Sequence, residues 1–155
     1  MKTIAFIVFL FLILIISLPT KAAASSPPDL SSVTVEEVRQ FINEYTTRFM
    51  KSDLDAFMAL FLRDATENRM IPYADIREAY RKTILYSNSI TYNLRVYSIQ
   101  TYKRSAFVTG RYEIIQALKR GGRQRVLRGD IQWDLVRENG SLKIREVNYG
   151  RDKAR

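Results

Sequence analysis

The spacing of apolar residues predicts two amphipathic helices at the start of the main domain. Large apolar residues recur every three or four positions over residues 35–49, the interval that places side chains on one helix face. A second stripe of this kind covers residues 54–61, after a polar break at 51–53. Thr34 and Glu37 fit a capping box, which favours a helix start at this point. The pattern therefore predicts a helix, a short break and a second helix.

Beyond these helices the pattern predicts one more helix and then an antiparallel sheet. Residues 63–71 are typical of a loop, and a helical spacing follows from Pro72 to about residue 86. The period then changes to two residues, which is typical of strands, and a bulge is expected near Val96. Four strands are expected, at 90–99, 105–118, 123–137 and 141–149. Turns are expected at residues 121–122 and 139–140. Helices followed by strands predict an α+β domain with its helices on one face.

One stretch of the helical region resembles a known superfamily. Residues 45–66 carry Ser-Asp-Leu-Asp at 52–55, Ala-Leu-Phe at 59–61 and Asp-Ala-Thr at 64–66. This order resembles the opening helices of the nuclear-transport-factor-2-like (NTF2-like) superfamily. The resemblance as a whole covers residues 33–149. That group includes SnoaL-like polyketide cyclases, ketosteroid isomerase, scytalone dehydratase and many non-enzymatic domains. The resemblance implies a cone, with three N-terminal helices packed on a strongly curved antiparallel sheet around a pocket. It also implies that the outer sheet face often forms a dimer.

The N-terminus has the pattern of an export signal. Lys2 precedes an unbroken apolar run of 13 residues at 4–16, which is short for a membrane span of roughly 20 residues. Small residues at 22–24 follow and suit cleavage. We expect residues 1–24 to be a signal peptide, with an uncleaved membrane anchor as the alternative. The protein is therefore predicted to be exported, either periplasmic or secreted, with a membrane-anchored form as a second option.

The remaining chain is expected to form one domain that is stabilised by packing alone. A flexible lead-in is predicted at 25–32, the domain at 33–150 and a basic tail at 151–155. The full chain has 155 residues, no cysteine and a formal net charge of +9. A domain of this length buries a sizeable core, and without cysteine it has no disulfide even after export.

The residue types present exclude several kinds of chemistry. With no histidine and no cysteine, neither a Ser-His-Asp nor a Cys-His arrangement can form. A metal site would need carboxylates alone, and no group of them has the spacing of ligands. No glycine-rich phosphate loop precedes a helix. We therefore predict no cofactor and no metal, and only acid–base chemistry by carboxylates and tyrosines remains.

The resemblance implies a specific pair of residues for such chemistry, and half of the pair is missing. In the isomerases of this superfamily a tyrosine on the first helix stabilises an oxyanion, and Tyr45 falls on this position. The base, an aspartate, would fall at Arg69, which stays protonated near neutral pH and cannot accept a proton. Glu67 and Asn68 flank this position, and a one-residue gap would bring either toward the site.

These observations favour a non-catalytic binding or interaction module for a small apolar molecule or an envelope partner. The alternative is an isomerase- or cyclase-like enzyme that acts on a small hydrophobic substrate. A carboxylate of Glu67, Glu113 or Asp134 that faces Tyr45 would favour the enzyme, although strand alternation disfavours Asp134.

Four aromatic residues are candidates for the lining of the pocket: Tyr45, Tyr92, Tyr112 and Trp133. They would give apolar walls with polar tips, which suit small-molecule binding. The alternative is that they fill the cone as core.

Five basic residues surround the turn at 121–122: Lys119, Arg120, Arg123, Arg125 and Arg128. One interpretation is a solvated hairpin tip that protects the sheet from aggregation. The other is a contact for an anionic partner, such as a membrane surface, an acidic envelope polymer or an acidic protein. Nucleic acid is not expected, because aromatic residues do not alternate with the basic ones as in a stacking platform.

Overall fold

The computed structural model describes residues 32–152. The predicted signal peptide, the lead-in up to residue 31 and the last three residues of the basic tail lie outside the described residues. Within residues 32–152, no helix is both long enough and apolar enough to cross a membrane.

Three helices form, each near its predicted position. They are α1 (Val35–Met50), α2 (Leu54–Met58) and α3 (Tyr73–Tyr86). The Thr34 hydroxyl caps α1 by accepting a hydrogen bond from a backbone N–H in the first turn, at 3.2 Å. The side chain of Asp53 caps α2 in the same way. The predicted second helix was too long, because α2 ends at Met58 and the chain then turns into a strand.

The sheet has six strands, two more than the pattern predicted. The strands are β1 (Phe61–Glu67), β2 (Ile71–Pro72), β3 (Ser87–Thr101), β4 (Ser105–Leu118), β5 (Gln124–Glu138) and β6 (Ser141–Tyr149). Their order in the sheet is β2-β1-β6-β5-β4-β3, and the β1–β6 pair is parallel while the other pairs are antiparallel.

The predicted loop at residues 63–71 is wrong, and so is the purely antiparallel sheet. Most of that stretch is β1, in which Phe61 and Ala65 are buried while Arg63 and Asp64 between them are exposed. Such a short and charged segment has no clear period of two. It becomes a strand because it pairs with β6, which follows about 80 residues later in the chain.

The concave face of the sheet and the helices enclose one aromatic core. From α1, the buried side chains of Val38, Phe41, Ile42, Tyr45 and Phe49 point to this face. β4 alternates strictly between buried and less buried positions, so every second residue reaches the core. The predicted bulge in β3 is confirmed between Val96 and Ser98. A bulge increases strand twist and bends the sheet over the helices.

Candidate functional site

A cleft of about 420 Å³ opens on the concave side of the sheet, beside α3 and the ends of β1 and β6. Its apolar lining consists of Phe49, Ile71, Ala79, Ile114 and Leu127. Its polar lining consists of Glu67, Asn68, Tyr80, Thr83, Tyr112, Gln116, Tyr149 and Arg151. Apolar side chains combined with converging polar groups are typical of small-molecule sites, and this cleft is richer in polar groups than most.

Three tyrosine hydroxyls meet at the base of this cleft. We call Tyr45, Tyr80 and Tyr149 the tyrosine triad. Their hydroxyls are hydrogen bonded to one another, with oxygen–oxygen distances of 2.8 Å between Tyr80 and Tyr149 and 3.4 Å between Tyr45 and Tyr80. The Tyr45 hydroxyl also bonds that of Tyr149. The triad joins α1, α3 and the end of β6, so the helices and the last strand must all be in place before it forms.

The triad donates hydrogen bonds and is unsuited to act as a base. Burial raises the pKa of Tyr45 from its ordinary value of 10.0 to about 12. Burial also raises the pKa values of Tyr80 and Tyr149 well above the ordinary value. Glu67 lines the same cleft as Tyr80 and Tyr149, and its negative charge contributes to the raised pKa values of Tyr45 and Tyr80. All three hydroxyls therefore keep their protons at neutral pH.

Glu67 supplies the carboxylate of the cleft. It is the last residue of β1, and Asn68 holds this end of the strand against β6. The Asn68 backbone N–H donates to the Val147 carbonyl at 2.9 Å, and its side-chain oxygen accepts from the Tyr149 N–H at 2.8 Å. The Glu67 side chain is half-buried and has no hydrogen-bond or ion-pair partner among residues 32–152. Burial raises the pKa of Glu67, and the positive charge of Arg151 opposes this shift.

The other two carboxylates that were candidates lie elsewhere. Glu113 is bound by Arg128, and Asp134 is bound by Arg145 at 2.5–3.1 Å. Neither carboxylate lines the cleft. Of the three candidates, only Glu67 does.

The position that the resemblance assigns to the base is outside the cleft. Arg69 is exposed in the turn after β1, where its φ of 65° is left-handed, and it lies 3.9 Å from Glu146. The side chain two positions earlier, that of Glu67, occupies the cleft instead.

The four predicted lining residues are divided between the cleft and the core. Tyr112 lines the cleft and donates a hydrogen bond to the Gly150 carbonyl at 3.1 Å. Tyr45 lies below the cleft and reaches it through the triad. Tyr92 and Trp133 are buried against the Tyr45 ring, with ring centroids 5.9 and 5.5 Å away. The Tyr92 hydroxyl and the Trp133 ring N–H have no hydrogen-bond partner within the described part of the chain.

Sequence reasoning missed Tyr80, Tyr149 and Arg151 as site residues. Tyr80 did belong to the helical stripe of α3, but such a stripe indicates core and not a hydroxyl partner. Tyr149 gave no signal, and Arg151 was predicted only as part of the basic tail, because their place beside the cleft depends on the path of the chain after β6.

The basic residues of the hairpin differ in their surroundings. Arg128 is paired with Glu113. Lys119, Arg120 and Arg125 line a second groove beside the end of α3. Among residues 32–152, no group of three or more carboxylates could hold a metal ion.

Comparison with solved structures identifies the fold. No family model matches the sequence, and no curated protein matches it significantly. Solved structures do match: an NTF2-like superfamily protein from Salmonella enterica superimposes with a TM-score of 0.66 at 18% identity, covering 77% of this chain and 91% of that one. The fold is NTF2-like. This confirms the fold predicted from the resemblance of residues 45–66.

Two further NTF2-like neighbours carry the names of enzymes. A ketosteroid isomerase-like protein from Erwinia carotovora matches with a TM-score of 0.63 at 16% identity, covering 77% of this chain and 96% of that one. A protein from Novosphingobium aromaticivorans, suggested to be a scytalone dehydratase, matches with a TM-score of 0.65 at 15% identity, covering 76% and 83%. At such identities the likeness shows the fold alone. Because the NTF2-like fold serves both enzymes and binding proteins, function has to be argued from the cleft.

Proposed function

We propose that the cleft binds a small, mainly apolar molecule with a carbonyl group, and that Glu67 removes a proton from the carbon next to that carbonyl. The observation that carries this proposal is the position of Glu67, a half-buried and unpaired carboxylate in the same cleft as the tyrosine triad. The sequence alone favoured a non-catalytic module because it offered no base at the expected position.

The environment of Glu67 suits a proton acceptor. A general base works best when its pKa is close to the working pH, and a carboxyl group reaches this condition by burial. Burial raises the pKa of Glu67, while Arg151 keeps the carboxylate form accessible. Since no other side chain among residues 32–152 binds this carboxylate, both oxygens are available to a ligand.

This reaction also needs a hydrogen-bond donor for the carbonyl oxygen of the ligand, which becomes negative as the proton leaves. The tyrosine triad supplies this donor. Tyr80 and Tyr149 line the cleft, and their hydroxyls are protonated at neutral pH. Removing a proton next to a carbonyl places negative charge on the carbonyl oxygen, and a donor positioned in an apolar site stabilises that charge strongly. Tyr45 would not touch the ligand and would support Tyr80 and Tyr149 through its hydrogen bonds to them.

The experiment measures exchange of carbonyl-adjacent protons with deuterium in D₂O. The probe is 2-tetralone, a compact apolar ketone, followed by NMR with and without the protein. We expect the protein to accelerate exchange and Glu67→Gln to abolish the acceleration, while chemical-shift changes on ketone binding persist. Glu113→Gln is the matched control, because it removes one carboxylate outside the cleft, and it should exchange like the wild type. Equal acceleration by wild type and Glu67→Gln would refute the role of Glu67.

A non-catalytic binding role is the second candidate. It is favoured by the mutual hydrogen bonds of the triad, which already satisfy the three hydroxyls. In this case apolar ketones would shift the resonances of cleft residues, and Tyr112→Ala would weaken binding, but exchange would not be accelerated by any variant.

Export and assembly complete the proposal. The apolar run at residues 4–16 and the small residues at 22–24 support an exported protein. Cell fractionation with N-terminal sequencing would test this, since cleavage near residue 24 is expected. A homodimer through the outer sheet face, by analogy with the resemblance, would appear as a doubled mass in sedimentation.

A further inference from the structure

A second groove lies where the end of α3 meets the tip of the β4–β5 hairpin, and it adjoins the cleft through Thr83 and Gln116, which line both. The Lys119 backbone N–H donates to the Tyr86 carbonyl at 2.9 Å, so the hairpin tip is attached to the end of the helix. The groove between them has a volume of about 670 Å³. We call it the basic groove and define it by Lys82, Leu85, Tyr86, Leu118, Lys119, Arg120 and Arg125.

Large apolar side chains are exposed in this groove. Leu85 is 49% exposed and Tyr86 is 59% exposed, and they are the last two residues of α3. Leu118 adds a half-buried apolar side chain at the end of β4. An exposed apolar patch with a polar rim marks an interaction site more often than a solvated surface.

The rim of the groove is positively charged. Lys119, Arg120 and Arg125 are exposed and form no ion pair within residues 32–152, while Lys82 is paired with Glu78 at 3.6 Å. Strand and turn residues 114–129 contain no aspartate or glutamate. A partner that matches this surface therefore carries negative charge opposite the basic rim and an apolar part opposite Leu85 and Tyr86.

We propose that the basic groove docks the domain on an anionic lipid bilayer. Arginine and lysine would contact the phosphates of the headgroups, and Tyr86 and Leu85 would enter the boundary between headgroups and acyl chains. Tyrosine prefers this interface because its ring is apolar and its hydroxyl polar. A soluble acidic polymer would match the charge but leave Leu85 and Tyr86 in water, so the apolar part of the groove favours a membrane.

The start of the described chain lies far from the groove. The Val33 N–H donates to the Tyr102 carbonyl, which lies at the opposite end of β3 and β4 from the hairpin tip. At about 3.3 Å per residue, the 14 residues of β4 place the two ends on the order of 40 Å apart. The proposal concerns the described domain and can be tested without the predicted leader.

The experiment uses a chain that begins at Ser25, which retains every core residue because the described core lies between Val33 and Val147. Its binding is measured by co-sedimentation with vesicles of phosphatidylglycerol and phosphatidylcholine, and with vesicles of phosphatidylcholine alone. Each basic group near an anionic surface contributes about fivefold to partitioning, so Arg120→Gln with Arg125→Gln should weaken binding about 30-fold. Binding that is equal on neutral and anionic vesicles would overturn the proposal.

The matched charge control is Lys103→Gln with Arg104→Gln. It removes two exposed charges at the opposite end of the sheet and should change binding by only a few fold. Equal losses in both double variants would mean attraction by net charge alone, which refutes docking through the groove.

The apolar contact has its own control. Tyr86→Ser should weaken vesicle binding several-fold at raised salt, whereas Tyr102→Ser, which alters a tyrosine that is 54% exposed at the far end, should not. Circular dichroism confirms that each variant is folded. Full competition by polyglutamate without an effect of Tyr86→Ser would assign the groove to a soluble acidic polymer. A change of sedimentation mass in the groove variants would assign it to a second copy of the chain. Either result overturns the proposal.

Discussion

An alanine at Gly129 would show how the segment after β6 is held beside the cleft. Gly129 lies in β5, opposite Tyr112 on β4, where residues 150–152 run beside the strand and hydrogen-bond to it. A Cβ atom built at this position would lie 1.8 Å from the Gly150 carbonyl oxygen and 3.0 Å from the Arg151 Cα atom. The contact is with backbone, so no rotation of a side chain can relieve it. In Gly129→Ala the C-terminal segment must move away from β5.

The cost can be estimated from the hydrogen bonds that this movement breaks. Gly150 donates to the Asp130 carbonyl and Asp152 donates to the Arg128 carbonyl, both at 2.9 Å. The Tyr112 hydroxyl donates to the Gly150 carbonyl at 3.1 Å. With a net contribution of about 1 kcal/mol for each bond, Gly129→Ala should lower the free energy of unfolding by about 3 kcal/mol.

The displacement would also reach the cleft. Arg151 lowers the pKa of Glu67, so its movement away from the carboxylate should raise that pKa further. Urea denaturation measures the loss of stability, and carboxyl carbon shifts in an NMR titration measure the pKa. We expect both changes together in Gly129→Ala.

Gly150→Ala provides the matched control on the other side of the same contact. Its added Cβ atom would have no neighbour closer than 3.7 Å, and the backbone φ of Gly150 is not left-handed. This variant should be as stable as the wild type or slightly more stable, because alanine restricts the unfolded chain. A neutral surface change alters the free energy of unfolding by about 0.5 kcal/mol or less. If the free energies of unfolding of Gly129→Ala and Gly150→Ala differ by no more than this, the C-terminal segment is not held rigidly against β5 and the reasoning fails.

Three further predictions address the core and the carboxylates. Tyr45→Phe should cost about 1 kcal/mol in urea denaturation, because the remaining two hydroxyls of the triad stay bonded to each other; a loss of 4 kcal/mol would contradict this. Glu37→Gln should cost about 2 kcal/mol, since it leaves the buried guanidinium of Arg137 without the carboxylate that binds it at 2.7 Å; Glu37→Gln with Arg137→Met should recover part of the loss, and no recovery would argue against a buried charge as the cause. The pKa of Glu67 is raised in the folded protein, so the folded state favours the protonated carboxyl group. The stability that this protonation adds is fully present below pH 4.5 and is lost as the pH rises through the folded-state pKa. The free energy of unfolding of Glu67→Gln should therefore lack this decline, and parallel pH curves for the two proteins would exclude it.

Much of the fold could be predicted from local pattern. The spacing of apolar residues in α1 and α3, and the alternation along β4, are each decided within a few residues by burial on one face. The turn at Asn139 and Gly140 was predicted because both residues adopt positive φ readily, and both do so here.

The strand β1 and the base of the cleft could not be predicted in this way. Residues 63–67 become a strand only through parallel pairing with β6, and this pairing carries Glu67 to the cleft. Counting along the chain pointed to Arg69, because a count in the sequence does not show that the strand ends at Glu67 and that the chain turns at Asn68 and Arg69.

The sequence by itself determined the positions of the three helices and the four long strands, the faces that they bury, and that carboxylates and tyrosines are the only groups available for acid–base chemistry. The tertiary structure decided which of them meet. Tyr45, Tyr80 and Tyr149 are separated by up to 104 positions and still share hydrogen bonds. Arg151 lines the cleft with Glu67 because the segment after β6 is hydrogen bonded to β5 beside Gly129. Local pattern records how strongly each segment is buried. It does not record the path of the chain, and that path brings the polar tips of buried residues together.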